Sequence, residues 1–253
     1  MTLELVTLPC LKDNYAYLIH NGDTGATAVV DVPEAAPILA ALDQRGWQLS
    51  DILLTHHHWD HIDGVADLVA ATGAKVWGAA ADAHRLPPLD HALLVEDRVT
   101  VCGEEMRVID VPGHTVGHVA FHFAAAGLCF TADSLMAMGC GRLFEGTPAQ
   151  MWDSLQKLTA LPPETLICSG HEYTAANARF ALTLDPGNSD LTSRAERITA
   201  DRAAGLATVP STLGDELATN PFLRAPQLKA ALGMADASDA ETFAEIRARK
   251  DRF

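Results

Sequence analysis

The run Thr55-His56-His57-His58-Trp59-Asp60-His61 constrains this chain more than any other stretch. It follows Asp51-Ile52-Leu53-Leu54, a short apolar segment that reads as the end of a buried strand. If the backbone stays extended past Leu54, side chains alternate, so His56, His58 and Asp60 share one side and His57 and Trp59 the other. Asp60 and His61 are sequence neighbours and converge only if the chain turns there; Gly64 suits such a turn. The spacing points to two adjacent metal sites, His56 with His58 and Asp60 with His61. Imidazole nitrogen and carboxylate oxygen suit zinc, iron or manganese rather than copper(I) or an iron–sulfur cluster. A histidine-rich loop without chemistry is the plainer alternative. It fits poorly with a mid-chain run directly behind a strand.

Three later polar residues also stand at the ends of strand-like segments. They are His114 in Val111-Pro112-Gly113-His114-Thr115, Asp133 in Phe130-Thr131-Ala132-Asp133-Ser134, and His171 in Ser169-Gly170-His171-Glu172-Tyr173. One histidine after a strand is ordinarily a loop residue. Three such residues in a chain that already carries a metal run read differently, because ligands at neighbouring strand ends converge on one edge of a sheet. Gly113 and Gly170 precede ligand histidines and read as tight turns. Asp31, behind another apolar strand, could accept a ring N–H from a ligand histidine or simply form a turn. His57 reads as a supporting or packing residue. His20, His84, His91, His118 and His122 lack ligand-like neighbours in sequence.

Around these residues the pattern predicts strands over 2–8, 15–19, 28–31, 51–54 and 75–77, with helices over 34–45 and 65–71. Paired strands follow around Gly103 and Gly127, and a last strand over 166–168. Asn21-Gly22-Asp23 is a hairpin signal. Mixed strands interleaved with helices in two similar halves suit a layered α/β sandwich. After Cys168 the character changes: from Thr174 onward only alanine-rich helical patterns appear, broken at prolines. The boundary is expected near residue 172, giving domains 1–172 and 173–253.

Composition narrows the function classes. A net charge of −15 over 253 residues argues against a general nucleic-acid binder. It leaves room for a small basic pocket, for which Arg247, Arg249, Lys250 and Arg252 are candidates. Five dispersed cysteines without a Cys-x-x-Cys pair suit a reducing compartment. No secretory signal and no membrane-spanning run is visible, so a cytoplasmic protein with no membrane partner is expected. It is expected to be a monomer.

His-x-His-x-Asp-His after a buried strand resembles the signature of the metallo-β-lactamase superfamily. The resemblance implies a four-layer αββα sandwich holding two divalent ions. His56, His58 and His114 match the ligands of the first ion, Asp60, His61 and His171 those of the second, and Asp133 the carboxylate shared by both. Zinc is the expected ion, and the same ligands accept iron or manganese. Asp60 and Asp133 supply two negative charges and a bridging hydroxide a third, while five imidazoles stay neutral. Such a site can hold hydroxide near neutral pH and polarise a carbonyl, with Asp60 and Asp133 as the catalytic carboxylates.

Four further blocks are similar to the glyoxalase II, or hydroxyacylglutathione hydrolase, family. They are Cys140-Gly141-Arg142-Leu143-Phe144-Glu145-Gly146-Thr147, Gly170-His171-Glu172-Tyr173-Thr174, Asn220-Pro221-Phe222-Leu223-Arg224 and Arg247-Ala248-Arg249-Lys250-Asp251-Arg252-Phe253. This resemblance runs through the chain to its last residue. It implies hydrolysis of S-2-hydroxyacylglutathione thioesters, notably S-D-lactoylglutathione to D-lactate and glutathione, the reaction of methylglyoxal detoxification. Tyr173, Arg247 and Lys250 would hold the glutathione part, whose glycine carboxylate is a natural partner for guanidinium and ammonium groups. Arg142 and Phe144 stand where the family commonly has lysine and tyrosine, so substrate contacts there depart from the pattern. Two alternatives remain open: a glutathione-persulfide dioxygenase-like oxidoreductase with mononuclear iron, and a metal-binding scaffold without catalysis.

Overall fold

The computed structural model describes residues 3–253, and the chain divides into two compact units. One comprises the chain up to Asp110 together with Gly117–Thr131; the other comprises Val111–Val116 and Ala132–Phe253. Thr2, expected in the first strand, lies outside the described residues.

The first unit opens with β1 (Glu4–Cys10), β2 (Asn14–His20) and β3 (Ala26–Val30), an antiparallel run. Asn21 closes the turn after β2, its Oδ1 accepting the backbone N–H groups of Asp23 and Thr24. Helix α1 (Ala35–Arg45) ends at Gly46, whose φ of +66° is the left-handed C-terminal stop that glycine permits. Then come β4 (Gln48–Leu53), α2 (Trp59–Ile62), α3 (Val65–Thr72) and β5 (Lys75–Ala79). A 3-10 turn (Ala80–Asp82) leads to β6 (His91–Leu93). These strands form a six-stranded sheet in sequence order, parallel from β3 to β6. Val29, Ile52, Leu54, Val76, Ile38, Leu42 and Leu68 form its packed core.

An antiparallel meander follows in the same unit: β7 (Arg98–Val101), β8 (Glu104–Asp110), β9 (Val119–Phe123) and β10 (Leu128–Ala132). The β7–β8 turn uses Cys102 and Gly103, both at positive φ, the two-residue geometry that matches strand twist. Every residue of β9 and β10 is buried. Continuous apolar runs such as Val119-Ala120-Phe121 therefore replace alternation here.

The second unit holds the short hairpin β11 (Leu135–Met136) and β12 (Gly139–Cys140), helix α4 (Pro148–Thr159), β13 (Leu166–Ser169), α5 (Thr174–Leu184) and α6 (Ser189–Ala203). After these come β14 (Ser211–Thr212), α7 (Leu213–Thr219), α8 (Ala225–Leu228) and α9 (Asp239–Arg252). Reciprocal capping boxes start α4 (Thr147 with Gln150) and α9 (Ser238 with Glu241). The expectation that no strand follows residue 174 misses β14, which pairs antiparallel with β13. Two residues carry no readable periodicity, and only their partner strand makes them extended. Among the described residues no helix is long and apolar enough to cross a membrane.

Candidate metal centre

Within the first unit, the parallel strands β3 and β4 end side by side, Val30 opposite Leu53. Asp31 and Thr55 therefore leave the same sheet edge, where ligands belong in such sheets. The Asp31 carboxylate is buried and accepts three hydrogen bonds: from Thr55 N at 2.9 Å, Thr55 Oγ1 at 2.8 Å and His61 Nδ1 at 2.8 Å. Past Leu54 the chain stays irregular to His58, then turns into the single helical turn α2. That turn makes Asp60 and His61 converge, with His61 N bonded to His58 O at 2.9 Å. Gly64 serves differently from the expected turn. Its backbone is ordinary right-handed, but a Cβ there would lie 2.7 Å from the Glu34 and Ala35 backbone. Glycine is required by this close approach rather than by its conformational freedom.

His56 Nε2 and His58 Nδ1 stand 3.2 Å apart, and His61 Nε2 lies 4.0 Å from Asp60 Oδ2. Asn14 steadies Asp60, its Nδ2 reaching the Asp60 carbonyl at 2.9 Å and Oδ2 at 3.1 Å. The His118 ring stacks on His56 at 4.6 Å. His57 turns to Asp82, a fully buried carboxylate that it meets at 2.9 Å and that also accepts from Arg85. The roles of Asn14, Asp82 and His118 have no local sequence signal, since each depends on a partner many positions away.

Within the second unit, His114, Asp133 and His171 meet at one carboxylate oxygen. Asp133 Oδ2 is 3.4 Å from His114 Nε2 and 3.3 Å from His171 Nε2. These separations are long for hydrogen bonds, which cluster near ~2.9 Å. They match instead the edge of a coordination tetrahedron, about 3.4 Å for bonds of about 2.1 Å. The 3.2 Å between His56 and His58 nitrogens has the same character. The residues present therefore fit a metal ion as their common partner. His114 Nδ1 is held by the Arg142 carbonyl at 2.8 Å, which leaves Nε2 as the donor atom. Gly113, at φ +152°, lies against Met151, where a Cβ would come within 2.8 Å. Gly170 has no positive φ; its N–H bonds to the Ala132 carbonyl.

The candidate substrate residues lie in this second unit too. Phe144 is exposed, its ring edge 5.2 Å from the His114 ring. Tyr173 stacks on His171 at 4.6 Å and stays partly exposed. Arg142 is exposed. Arg247 is buried: Nη1 donates to the Cys140 carbonyl, Nη2 to Asp251, and the guanidinium lies 5.0 Å from the Phe222 ring. Lys250 rests its ammonium between Phe180 and Phe253, at 5.3 and 5.2 Å from the ring centres. Desolvation, reinforced by Arg247, Arg179 and Arg142, lowers its pKa to about 8.

Comparison with known proteins adds to this geometry. Residues 13–171 match the family described as the metallo-beta-lactamase superfamily, and residues 172–253 match the hydroxyacylglutathione hydrolase C-terminus. A hydroxyacylglutathione hydrolase of Jannaschia sp. (strain CCS1) is 69% identical over 99% of this chain and 98% of its own length. One from Cereibacter sphaeroides (strain ATCC 17025 / ATH 2.4.3) is 68% identical over the whole of both chains. Among solved structures, BLEG-1 B3 metallo-beta-lactamase aligns with a TM-score of 0.68 at 22% identity, covering 87% of this chain and 99% of that one, a likeness of fold. TTHA1623 in a di-iron-bound form aligns with a TM-score of 0.62 at 30% identity, covering 87% and 100%. The expected fold class, α/β with a smaller helical C-terminal domain, is borne out. The superfamily match and the clustered His and Asp groups support a dinuclear metal site.

Proposed function

Because the chain belongs to the hydroxyacylglutathione hydrolase family of the metallo-β-lactamase superfamily, we propose that it hydrolyses S-2-hydroxyacylglutathione thioesters, S-D-lactoylglutathione among them, to the 2-hydroxy acid and glutathione. The observation that carries the reading is the pair of 3.3–3.4 Å approaches of two histidine nitrogens to Asp133 Oδ2, a spacing suited to shared coordination. His56, His58 and His114 would hold one ion, Asp60, His61 and His171 the other, and Asp133 both. When bound, such ions lower the pKa of a water molecule and polarise a carbonyl oxygen. Zinc fits these borderline ligands, with iron or manganese as substitutes.

The chain's own residues then divide the work. Asp31 and the Arg142 carbonyl fix the ring orientation of His61 and His114, so that each offers Nε2. Asp133 and Asp60 would balance part of the metal charge, and Asn14 braces Asp60. Residues 1–172 form the catalytic domain in this reading and 173–253 supply substrate contacts. Tyr173, Arg142, Phe144 and Lys250 would line the glutathione part. Arg247, buried beneath, would add positive charge for the glycine carboxylate. A monomer in a reducing cytoplasm, without nucleic-acid or membrane partners, accords with the net charge of −15 and five buried free cysteines.

Thioester hydrolysis measured on metal-quantified protein tests the reading. We expect turnover of S-D-lactoylglutathione, two ions per chain, and loss of turnover in Asp133→Ala. One ion per chain, or no hydrolysis by the fully loaded protein, would overturn it.

A further inference from the structure

The hairpin Leu135–Cys140 has Asp133 just before it and Arg142 just after it. One of these aligns with two histidine nitrogens through its carboxylate, and the other orients His114 through its carbonyl. The two flanks are tied at Gly141, whose N–H bonds to Ser134 O at 3.1 Å. Every residue from 131 to 141 is buried, so the hairpin cannot satisfy its polar backbone with water. Its geometry also resists self-assembly: Met138 sits at φ +54°, a left-handed conformation that side-chain-bearing residues adopt only when held.

The holding groups come from far along the chain. Glu216 Oε2 accepts the Met138 N–H at 2.8 Å, across 78 residues. Asn220 Nδ2 donates to the carbonyls of Met136 at 3.1 Å and Gly139 at 2.9 Å, and to Glu216 Oε2 at 3.0 Å. Asn177 Nδ2 donates to Ala137 O at 3.0 Å. Glu216 is itself fully buried and fixed on its other oxygen by Arg194 and by Ser211 Oγ. A fully buried carboxylate requires such partners; here it uses one oxygen to anchor them and the other to pin the strained residue of the hairpin.

We propose that Glu216 is a positioning residue for the metal centre, acting through Met138 and the 135–142 segment on Asp133 and His114. This rests on the reading that His114 and Asp133 are metal ligands. A carboxylate in the helical C-terminal region thereby sets the geometry of ligands in the preceding one. It touches neither ion nor substrate, so its removal alters how tightly metal is held and how fast bound substrate reacts, while leaving Tyr173 and Lys250 unchanged.

The test is chelator competition for zinc on the full-length holoprotein, with kcat and KM measured alongside. Glu216→Gln is expected to weaken zinc binding about tenfold or more, in the range typical of groups that orient metal ligands, and to lower kcat while KM stays within about twofold. Leu228→Ala, a core truncation in the same unit outside the cluster that packs on Met138, serves as the stability control and should leave zinc affinity unchanged despite a lower Tm. Zinc affinity within twofold of wild type in folded Glu216→Gln, or equal weakening in the Leu228→Ala control, overturns the proposal. If Glu216→Gln does not fold, Ser211→Ala removes one bond that fixes Glu216 while leaving its pairing with Arg194. It is expected to weaken zinc binding about threefold or more, and unchanged affinity there overturns the proposal equally. His114→Ala is run in parallel. Retention of both ions by that variant would sink the ligand assignment itself, whereas metal loss in His114→Ala with normal Glu216→Gln would sink only the positioning role.

Discussion

Asp31 and His61, thirty residues apart, meet through a 2.8 Å contact between Oδ2 and Nδ1. A carboxylate only accepts, so Nδ1 carries the proton and Nε2 presents its lone pair. The same carboxylate receives both donors of Thr55, which locks the start of the histidine segment to the end of β3. Asp31→Ala should therefore weaken metal binding about 10–100-fold. Metal content after dialysis against a graded chelator series checks this; content equal to wild type would mean that His61 needs no such partner.

The ammonium of Lys250 gives the second expectation. Its pKa is lowered to about 8, first by desolvation and then by Arg247, Arg179 and Arg142, with Asp251 opposing. The group is charged below that value and neutral above it. KM for an anionic glutathione thioester should thus rise as pH passes through 8, with kcat little changed, and Lys250→Met should abolish this dependence. The stability sign is the reverse of an ordinary ion pair. The unfolded lysine keeps its proton to higher pH, so this site costs stability near neutrality and the cost fades as pH rises above 8. Lys250→Met is accordingly expected to keep or raise Tm at pH 7, and a fall in Tm would contradict the assignment.

Gly141 has no room for a side chain. A Cβ there would stand 1.9 Å from the Asp133 carbonyl oxygen and 2.9 Å from His114 Nδ1. Gly141→Ala must displace backbone that carries two candidate ligands, and we expect a loss of at least about 3 kcal/mol, the upper end for overpacking, with metal binding impaired. Gly187, where a Cβ meets nothing within 4 Å, provides the contrast. Gly187→Ala should shift stability by no more than about 1 kcal/mol. Paired denaturant melts of the two variants decide the point.

Phe144 stands exposed beside His114, where it has no hydroxyl to offer a substrate. Adding a hydroxyl in Phe144→Tyr should strengthen substrate binding by about 0.5–1.5 kcal/mol, one hydrogen bond. Steady-state kinetics would register this as a KM lowered roughly two- to tenfold. An unchanged KM would remove Phe144 from the substrate contacts.

The candidate donors and their order were legible in the sequence by itself, because a metal site needs specific donor atoms and the His56–His61 run places four of the candidates within six positions. Strand ends before Asp31, Thr55, His114 and Asp133 were legible too, since buried strands write their apolar runs locally. What only the tertiary structure decided is how each donor is aimed. Asp31 reaches His61, Asp82 reaches His57, and the Arg142 carbonyl reaches His114, each across 25 residues or more. The Leu135–Cys140 hairpin and β14 were invisible for the same reason. Their backbone is held by Glu216, Asn220 and the partner strand β13, not by any propensity of their own. Orientation of a ring or a strained turn is a pairwise energy between distant residues, and no local pattern records it.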